Sequence, residues 1–301
     1  MRIRRSLIDL DDLAPEELDD IFERTAAFER TPPDRRLAGT ACINMFFEQS
    51  TRTFVSFNLA QLRLGADIVN LSPKDLSLAS KGETLEDTAI TLGAMGVDVL
   101  VVRHPEAGFP QRVALAFDGH VINAGDGPHA HPTQALLDLY TLIEEFGNLA
   151  GRTVAIVGDI AHSRVAHSTI RGLTRLGANV VLVGPECFLP ADYAAEGIAV
   201  ERDFDAAIPA ADAVVLLRIQ RERFVEMPMS DDEYVAAYRL DERRLKKVRD
   251  DAIVMHPGPY NRGMELDDSV LAFAGWRYAK QVRHGVAIRM AVLDLIVNGP
   301  A

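Results

Sequence analysis

The chain has 301 residues, 48% of them hydrophobic and 25% charged, a globular composition with length enough for two domains of ordinary size. Lys and Arg total 32 against 44 Asp and Glu, and the formal charge of −12 argues against nucleic acid or an anionic membrane as partner, so an anionic ligand must be held by local positive charge. No apolar run reaches the length of a membrane span, and the basic start Met1-Arg2-Ile3-Arg4-Arg5 leads into Asp9, Asp11 and Asp12, not into an apolar signal core, so a cytoplasmic protein is expected.

In chain order, residues 7–30 carry one or two amphipathic helices, with Pro15-Glu16-Glu17 suited to a first turn. From residue 41 onward, apolar strand-like runs alternate with helical patterns. The strand candidates are 41–47, 67–71, 97–102 and 121–124 in the first half. In the second half they are 153–157, 179–183, 198–200, 212–217 and 252–255. The alternation predicts an α/β protein of two domains, each a parallel sheet flanked by helices. Leu136, Leu139, Tyr140 and Ile143 repeat with helical spacing after Pro132, and Gly147 is a natural stop, so a helix joins the halves. Asn148-Leu149-Ala150-Gly151 then enters the second domain. The apolar run Val286 to Val297 reads as a helix that returns to the first domain. The expected division is 1–147, with 284–301 packing back on it, and 148–283.

The two cysteines, Cys42 and Cys187, lie far apart, form no C-x-x-C pair and sit near apolar runs, so both are expected to be small buried residues. The eight histidines have no metal-ligand spacing, and no metal is expected. Gly158-Asp159-Ile160-Ala161-His162-Ser163 lacks the G-x-G-x-x-G spacing, and no phosphate-loop G-x-x-x-x-G-K-[ST] occurs, which disfavours a dinucleotide or nucleoside triphosphate; no cofactor is expected.

The most informative motif is Ser50-Thr51-Arg52-Thr53-Phe54-Val55, between the apolar run 41–47 and a helical pattern that ends at Gly65. Unpaired N–H groups at a helix start, the helix dipole and an arginine make an anion site. A helix capped by a hydroxyl, with Arg52 in solvent, leaves the same residues. A second signature, His131-Pro132-Thr133-Gln134, stands in the same kind of strand-to-helix junction and decides for the anion. Other polar residues also follow strand candidates: Arg103-His104-Pro105, Arg164, Arg218-Ile219-Gln220 and His256-Pro257-Gly258-Pro259. Open parallel sheets bind ligands at these carboxyl ends, and so many coincidences predict a cleft.

Ser50-Thr51-Arg52-Thr53, Arg103-His104-Pro105 and His131-Pro132-Thr133-Gln134 together resemble the aspartate/ornithine carbamoyltransferase family over nearly the whole chain. His256-Pro257-Gly258-Pro259 stands where the ornithine-using members carry a cysteine-containing H-C-L-P. Arg218-Ile219-Gln220-Arg221-Glu222-Arg223 is similar to the aspartate-side loop of the other branch. The resemblance implies transfer of the carbamoyl group from carbamoyl phosphate to L-aspartate, a step of pyrimidine synthesis. Ornithine as acceptor and a catalytically silent anion-binding homologue are the alternatives.

The roles implied by the resemblance follow residue by residue. The first domain binds carbamoyl phosphate, with Ser50, Thr51, Arg52, Thr53 and Arg103 on the phosphate. Thr53, Arg103 and His131 serve the carbonyl oxygen. Gln134 and the backbone carbonyls near Pro257, Gly258 and Pro259 hold the carbamoyl amide. The second domain binds aspartate through Arg164, Arg218 and Gln220, with Glu48 orienting Arg164 and Arg223. Ser77 to Thr84 is similar to a loop that reaches the neighbouring subunit's site, which implies a homotrimer whose shared sites receive Ser77 and Lys81. Tyr260-Asn261-Arg262-Gly263 resembles members that work as bare trimers or with a dihydroorotase-like partner; regulatory chains are a further possible partner of such assemblies. Gly258 departs from the leucine of many members, at a residue used through its backbone.

Overall fold

The computed structural model describes residues 6–31, 34–72, 82–190 and 192–300. Its contacts divide the chain into two compact units, Met1–Leu137 with Val282–Ala301, and Asp138–Gln281.

The first unit contains α1 (Pro15–Arg30), β1 (Ala41–Phe46), α2 (Thr51–Leu64), β2 (Asp67–Leu71), α3 (Leu85–Ala94), β3 (Val99–His104), α4 (Phe109–Ala116) and β4 (His120–Asp126). All strand pairs are parallel, in the order β2-β1-β3-β4. β3 and β4 are apolar runs because helices cover both faces of a parallel sheet. Ile43, Met45, Leu100, Val102 and Val121 pack with Leu85, Val113 and Phe117 in the core. Each such side chain contributes roughly 1.5–3 kcal/mol when fully buried. In α1, Pro15 occupies the first turn, and Leu18, Ile21, Phe22 and Thr25 form the buried stripe that the helical spacing requires.

α5 (Pro132–Phe146) and α12 (Tyr278–Asn298) each run from one unit into the other. In the first unit the C-terminal part of α12 is tied down by buried Asp294, whose carboxylate receives Arg24 at 2.5 Å and Arg36 at 3.0 Å. A carboxylate so deep in the protein needs such partners, because an unpaired buried charge is strongly destabilising.

The second unit contains β5 (Thr153–Val157), α6 (Arg164–Arg175), β6 (Asn179–Val183), α7 (Asp192–Ala195), β7 (Ala199–Glu201), α8 (Phe204–Ala207), β8 (Ala213–Leu216), α9 (Asp231–Tyr238), α10 (Glu242–Leu245), β9 (Ile253–Met255) and α11 (Asp268–Ala272). Its sheet is again parallel, in the order β7-β6-β5-β8-β9. Val157, Val183, Val214, Leu216 and Val254 pack with Phe188, Phe204 and Tyr234.

One cysteine departs from expectation. Cys42 is buried on β1, where desolvation pushes its thiol up to about 12. Cys187 is exposed. It lies in a three-residue 3-10 turn, Glu186–Phe188, whose inward position is taken by the fully buried Phe188. None of the described helices is long and apolar enough to cross a membrane.

Candidate active site

The strand orders locate the ligand sites before any side chain is considered. In the first sheet the chain moves from β1 to β2 on one side and to β3 on the other, so the order reverses at the carboxyl ends of β1 and β3. In the second sheet it reverses at the ends of β5 and β8. Crevices at such switch points receive ligands in open α/β sheets. Ser50–Thr53 and Arg103 stand at the first switch point, and Arg164, Arg218 and Gln220 at the second.

In the first unit, Ser50 is the N-cap of α2 in extended conformation, but its hydroxyl makes no cap bond. It donates instead to Thr53 Oγ1 at 3.0 Å. The hydroxyl cap that the alternative explanation of the motif requires is therefore absent at Ser50. Arg52 is half-buried on the first turn and Thr53 is buried. Thr53 Oγ1 lies 3.5 Å from His131 Nε2. A cavity of about 370 Å³ opens beside Glu48, Gln49, Ser50 and Thr51.

Arg103 is the penultimate residue of β3, in the ladder opposite Phe46, and is buried. Its guanidinium donates to the Ala124 carbonyl at 3.0 Å and pairs with the Glu48 carboxylate. Glu48 thus has an ion pair with Arg103 in its own unit, a partner that sequence reading missed. His104 is set apart from this group: it stacks on Phe109 at 3.6 Å, its Nδ1 accepts the Glu106 N–H at 3.0 Å, and burial lowers its pKa.

His131 is buried immediately before α5, and its carbonyl accepts the N–H groups of Gln134 and Ala135 at 3.0 and 3.1 Å. The loop beneath it is built on Asp126, a fully buried carboxylate. Asp126 accepts the N–H groups of Gly108 and Ala130 at 2.7 and 3.1 Å and the Asn123 amide at 2.8 Å. Gly127 has φ +42°, and a Cβ there would meet the Ala107 nitrogen and Pro105 carbonyl at 2.8 and 2.9 Å, so this close approach requires glycine. The sequence signal for this support was Gly125-Asp126-Gly127, a polar turn ending an apolar strand.

In the second unit, Gly158 follows β5 with φ +125°, and an added Cβ would lie 2.7 Å from the Leu217 carbonyl. Glycine lets the ends of β5 and β8 approach. Buried Asp159 joins the two loops: it accepts His162 Nδ1–H at 2.7 Å and the Gln220 N–H at 3.0 Å. Arg164 opens α6 and is buried, so its guanidinium adds to the positive end of the helix dipole. Arg218 donates to Gln220 Oε1 at 3.0 Å and forms a two-point pair with Glu222 on its own loop. That pair raises the Arg218 pKa and lowers that of Glu222. Arg223 donates to the His162 carbonyl. Pro257 and Gly258 are partly buried and Pro259 is exposed, at the end of β9. Lys81 and Ser77 lie outside the described residues.

The first unit therefore offers donors suited to a phosphate and an adjacent oxyanion, and the second offers two arginines suited to carboxylates. Comparison with known proteins agrees with this division. Residues 5–144 match the family model described as aspartate/ornithine carbamoyltransferase, carbamoyl-P binding domain, and residues 150–296 match the Asp/Orn binding domain of the same family. The chain is 51% identical over 267 residues to the aspartate carbamoyltransferase catalytic subunit of Salinispora arenicola, covering 87% of this chain and 86% of the relative. It is 48% identical over 300 residues to that of Gluconacetobacter diazotrophicus, covering 97% and 92%. Among solved structures, aspartate transcarbamoylase from Trypanosoma cruzi in complex with carbamoyl aspartate and phosphate superposes with a TM-score of 0.87 at 32% identity, covering 96% of this chain and 94% of that one. The M. jannaschii catalytic subunit gives 0.85 at 31%, covering 98% of each. By the match of both family models along nearly its whole length, the chain belongs to the aspartate/ornithine carbamoyltransferases.

Proposed function

We propose that the chain transfers the carbamoyl group of carbamoyl phosphate to the amine of L-aspartate, giving N-carbamoyl-L-aspartate and phosphate, as in pyrimidine synthesis. The observation that carries this reading is the pairing of chemistries at the two switch points: hydroxyls and Arg52 at a helix start in one unit, Arg164 and Arg218 in the other. An acceptor with two carboxylates suits two arginines, whereas ornithine brings a second ammonium. The curated relatives carry the same activity in their names, and the T. cruzi enzyme is seen with carbamoyl aspartate and phosphate.

In this mechanism the phosphate rests on Ser50, Thr51, Arg52, Thr53 and Arg103. Gln134 and the backbone carbonyls around Pro257, Gly258 and Pro259 hold the carbamoyl amide. The neutral amine of aspartate attacks the carbonyl carbon, and Thr53, Arg103 and His131 donate to the oxygen as it gains charge. The C–O bond to phosphate then breaks. The departing phosphate gains basicity and is a competent acceptor for the amine proton. Arg164 and Arg218 hold the aspartate carboxylates, with Gln220 and Lys81 beside them and Glu48 and Arg223 as orienting residues. No protein nucleophile is needed, because holding two reactants in attack geometry can supply as much as about 7–11 kcal/mol of a barrier.

The same reading includes a homotrimer in which Ser77 and Lys81 serve a neighbouring subunit's site. Val55, Leu59 and Leu62 form an exposed apolar stripe along α2, with exposed Val69 on β2, a surface that a second copy would cover. A cytoplasmic location completes the reading. Carbamoyl phosphate and aspartate supplied to the purified chain should yield carbamoyl aspartate and phosphate in equal amounts; phosphate release without carbamoyl product would contradict the reading.

A further inference from the structure

β9 ends at Met255, and the chain turns at once through His256-Pro257-Gly258. His256 is 1% exposed. Its Nδ1 accepts the Gly258 N–H at 2.8 Å, so Nδ1 carries a lone pair and the single proton of the neutral ring sits on Nε2. Nε2 faces the equally buried Glu265 carboxylate at 3.3 Å. The same Glu265 oxygen accepts the Asn261 N–H at 2.6 Å. The His256 N–H donates to Gln281 at 3.0 Å, and Gln281 donates to buried Asp138 at 2.7 Å. Tyr260 meets the imidazole edge-on at 5.8 Å, and Arg218 and Tyr234 lie in the field of Glu265.

The bond to Gly258 has a geometric consequence. The Gly258 N–H and the Pro257 carbonyl belong to one planar trans peptide and point in opposite directions. Fixing the N–H on Nδ1 therefore aims the Pro257 carbonyl away from the imidazole. Gly258, at φ +73°, has a wide backbone range, and without that bond nothing in its own stereochemistry would hold the peptide in one orientation.

We propose that His256 is a positioning residue for carbamoyl recognition: an imidazole kept in the Nε2–H form holds the Pro257 carbonyl toward the carbamoyl amide, and a proton on Nδ1 releases it. The inference rests on the reading above that carbonyls of this loop receive that amide. Protonated Nδ1 is a donor facing a donor, so the Gly258 bond is lost on acidification. Gln134 and the phosphate ligands belong to other segments and keep their grip.

The test uses the full chain with His256→Asn, whose Oδ1 stands where Nδ1 stood, and His256→Gln, whose amide reaches only the Nε2 position. At about pH 8, His256→Gln should raise the carbamoyl phosphate KM roughly tenfold, the effect of one lost hydrogen bond, while inhibition by inorganic phosphate stays within about twofold. His256→Asn should restore most of that affinity and flatten the rise in carbamoyl phosphate KM expected of the wild type on acidification. A His256→Gln enzyme with wild-type KM and wild-type pH dependence overturns the proposal, as does an equal loss of phosphate and carbamoyl phosphate affinity. Imidazole ¹⁵N shifts of the wild type supply a test independent of how the variants fold: a protonated Nδ1 at about pH 8 overturns it. A wild-type chain without carbamoyl transfer refutes the underlying reading instead, and is seen before any variant is made.

Discussion

Thr53 Oγ1 and His131 Nε2 lie 3.5 Å apart although 78 residues separate them in the chain. Both are buried, one on the first turn of α2 and the other just before α5, so two separate strand-to-helix junctions present donors to the same small volume of the first unit. Removing one donor to a developing oxyanion costs roughly 10²–10³ in kcat in comparable sites. His131→Ala should show that loss with the carbamoyl phosphate KM changed far less. Steady-state kinetics with both substrates varied distinguish this from ground-state binding, which would raise KM and spare kcat.

Arg52 acts at the other end of the same ligand. It adds a charged two-pronged donor to a helix start that already favours anions. Arg52→Ala should reduce turnover at least about 100-fold and weaken inhibition by inorganic phosphate in parallel. Near-normal turnover would remove Arg52 from the phosphate.

Arg218 belongs to the second unit, and its substitution should separate from these effects. Arg218→Ala should raise the aspartate KM by roughly 10–100-fold, the scale of a charge-assisted hydrogen bond, and leave carbamoyl phosphate binding nearly intact. Isothermal titration with carbamoyl phosphate alone checks the second half. A loss of that affinity would place Arg218 on the wrong ligand.

Stability has its own pH signature, away from the site. Burial alone would raise the Asp205 carboxyl, but hydrogen bonds from Lys247 and Arg243 and the charge of Arg244 hold it well below the usual carboxylate range. A carboxyl lowered in the folded state contributes stability at any pH above its unfolded pKa, about 3.9, and the contribution fades as the pH falls below that. Asp205→Asn should therefore lower Tm by a few degrees near neutrality, on the order of 1–2 kcal/mol. The gap from wild type should close only below about pH 4. A gap that persists unchanged into stronger acid would contradict the assignment.

The inner strands were legible because parallel strands covered on both faces are continuous apolar runs; all nine candidates are strands, the exposed edge strands β2 and β7 among them. Their ends were less so. β3 continues past its apolar run through Arg103 and His104, since the ladder does not require apolar side chains, and β4 likewise includes Asp126. The last helix begins at Tyr278, several residues before the apolar run, because Lys280 and Gln281 are polar yet engaged, with Glu145 and Asp138. Residues that touch a ligand stand in short motifs, and those motifs were readable. The residues that hold them in place, Asp126, Asp159 and His256, are single polar groups inside apolar or turn segments, and only the fold reveals what they bind. Cys187 was misjudged because neighbouring apolar residues do not say which side of a three-residue turn faces inward.

The most direct test of the central claim is to offer the purified chain carbamoyl phosphate with L-aspartate and, in parallel, with L-ornithine, and to measure the carbamoylated product. Product from aspartate alone is the predicted result. Product from ornithine, or from neither amine, would contradict the assignment of Arg164 and Arg218 to a dicarboxylate acceptor.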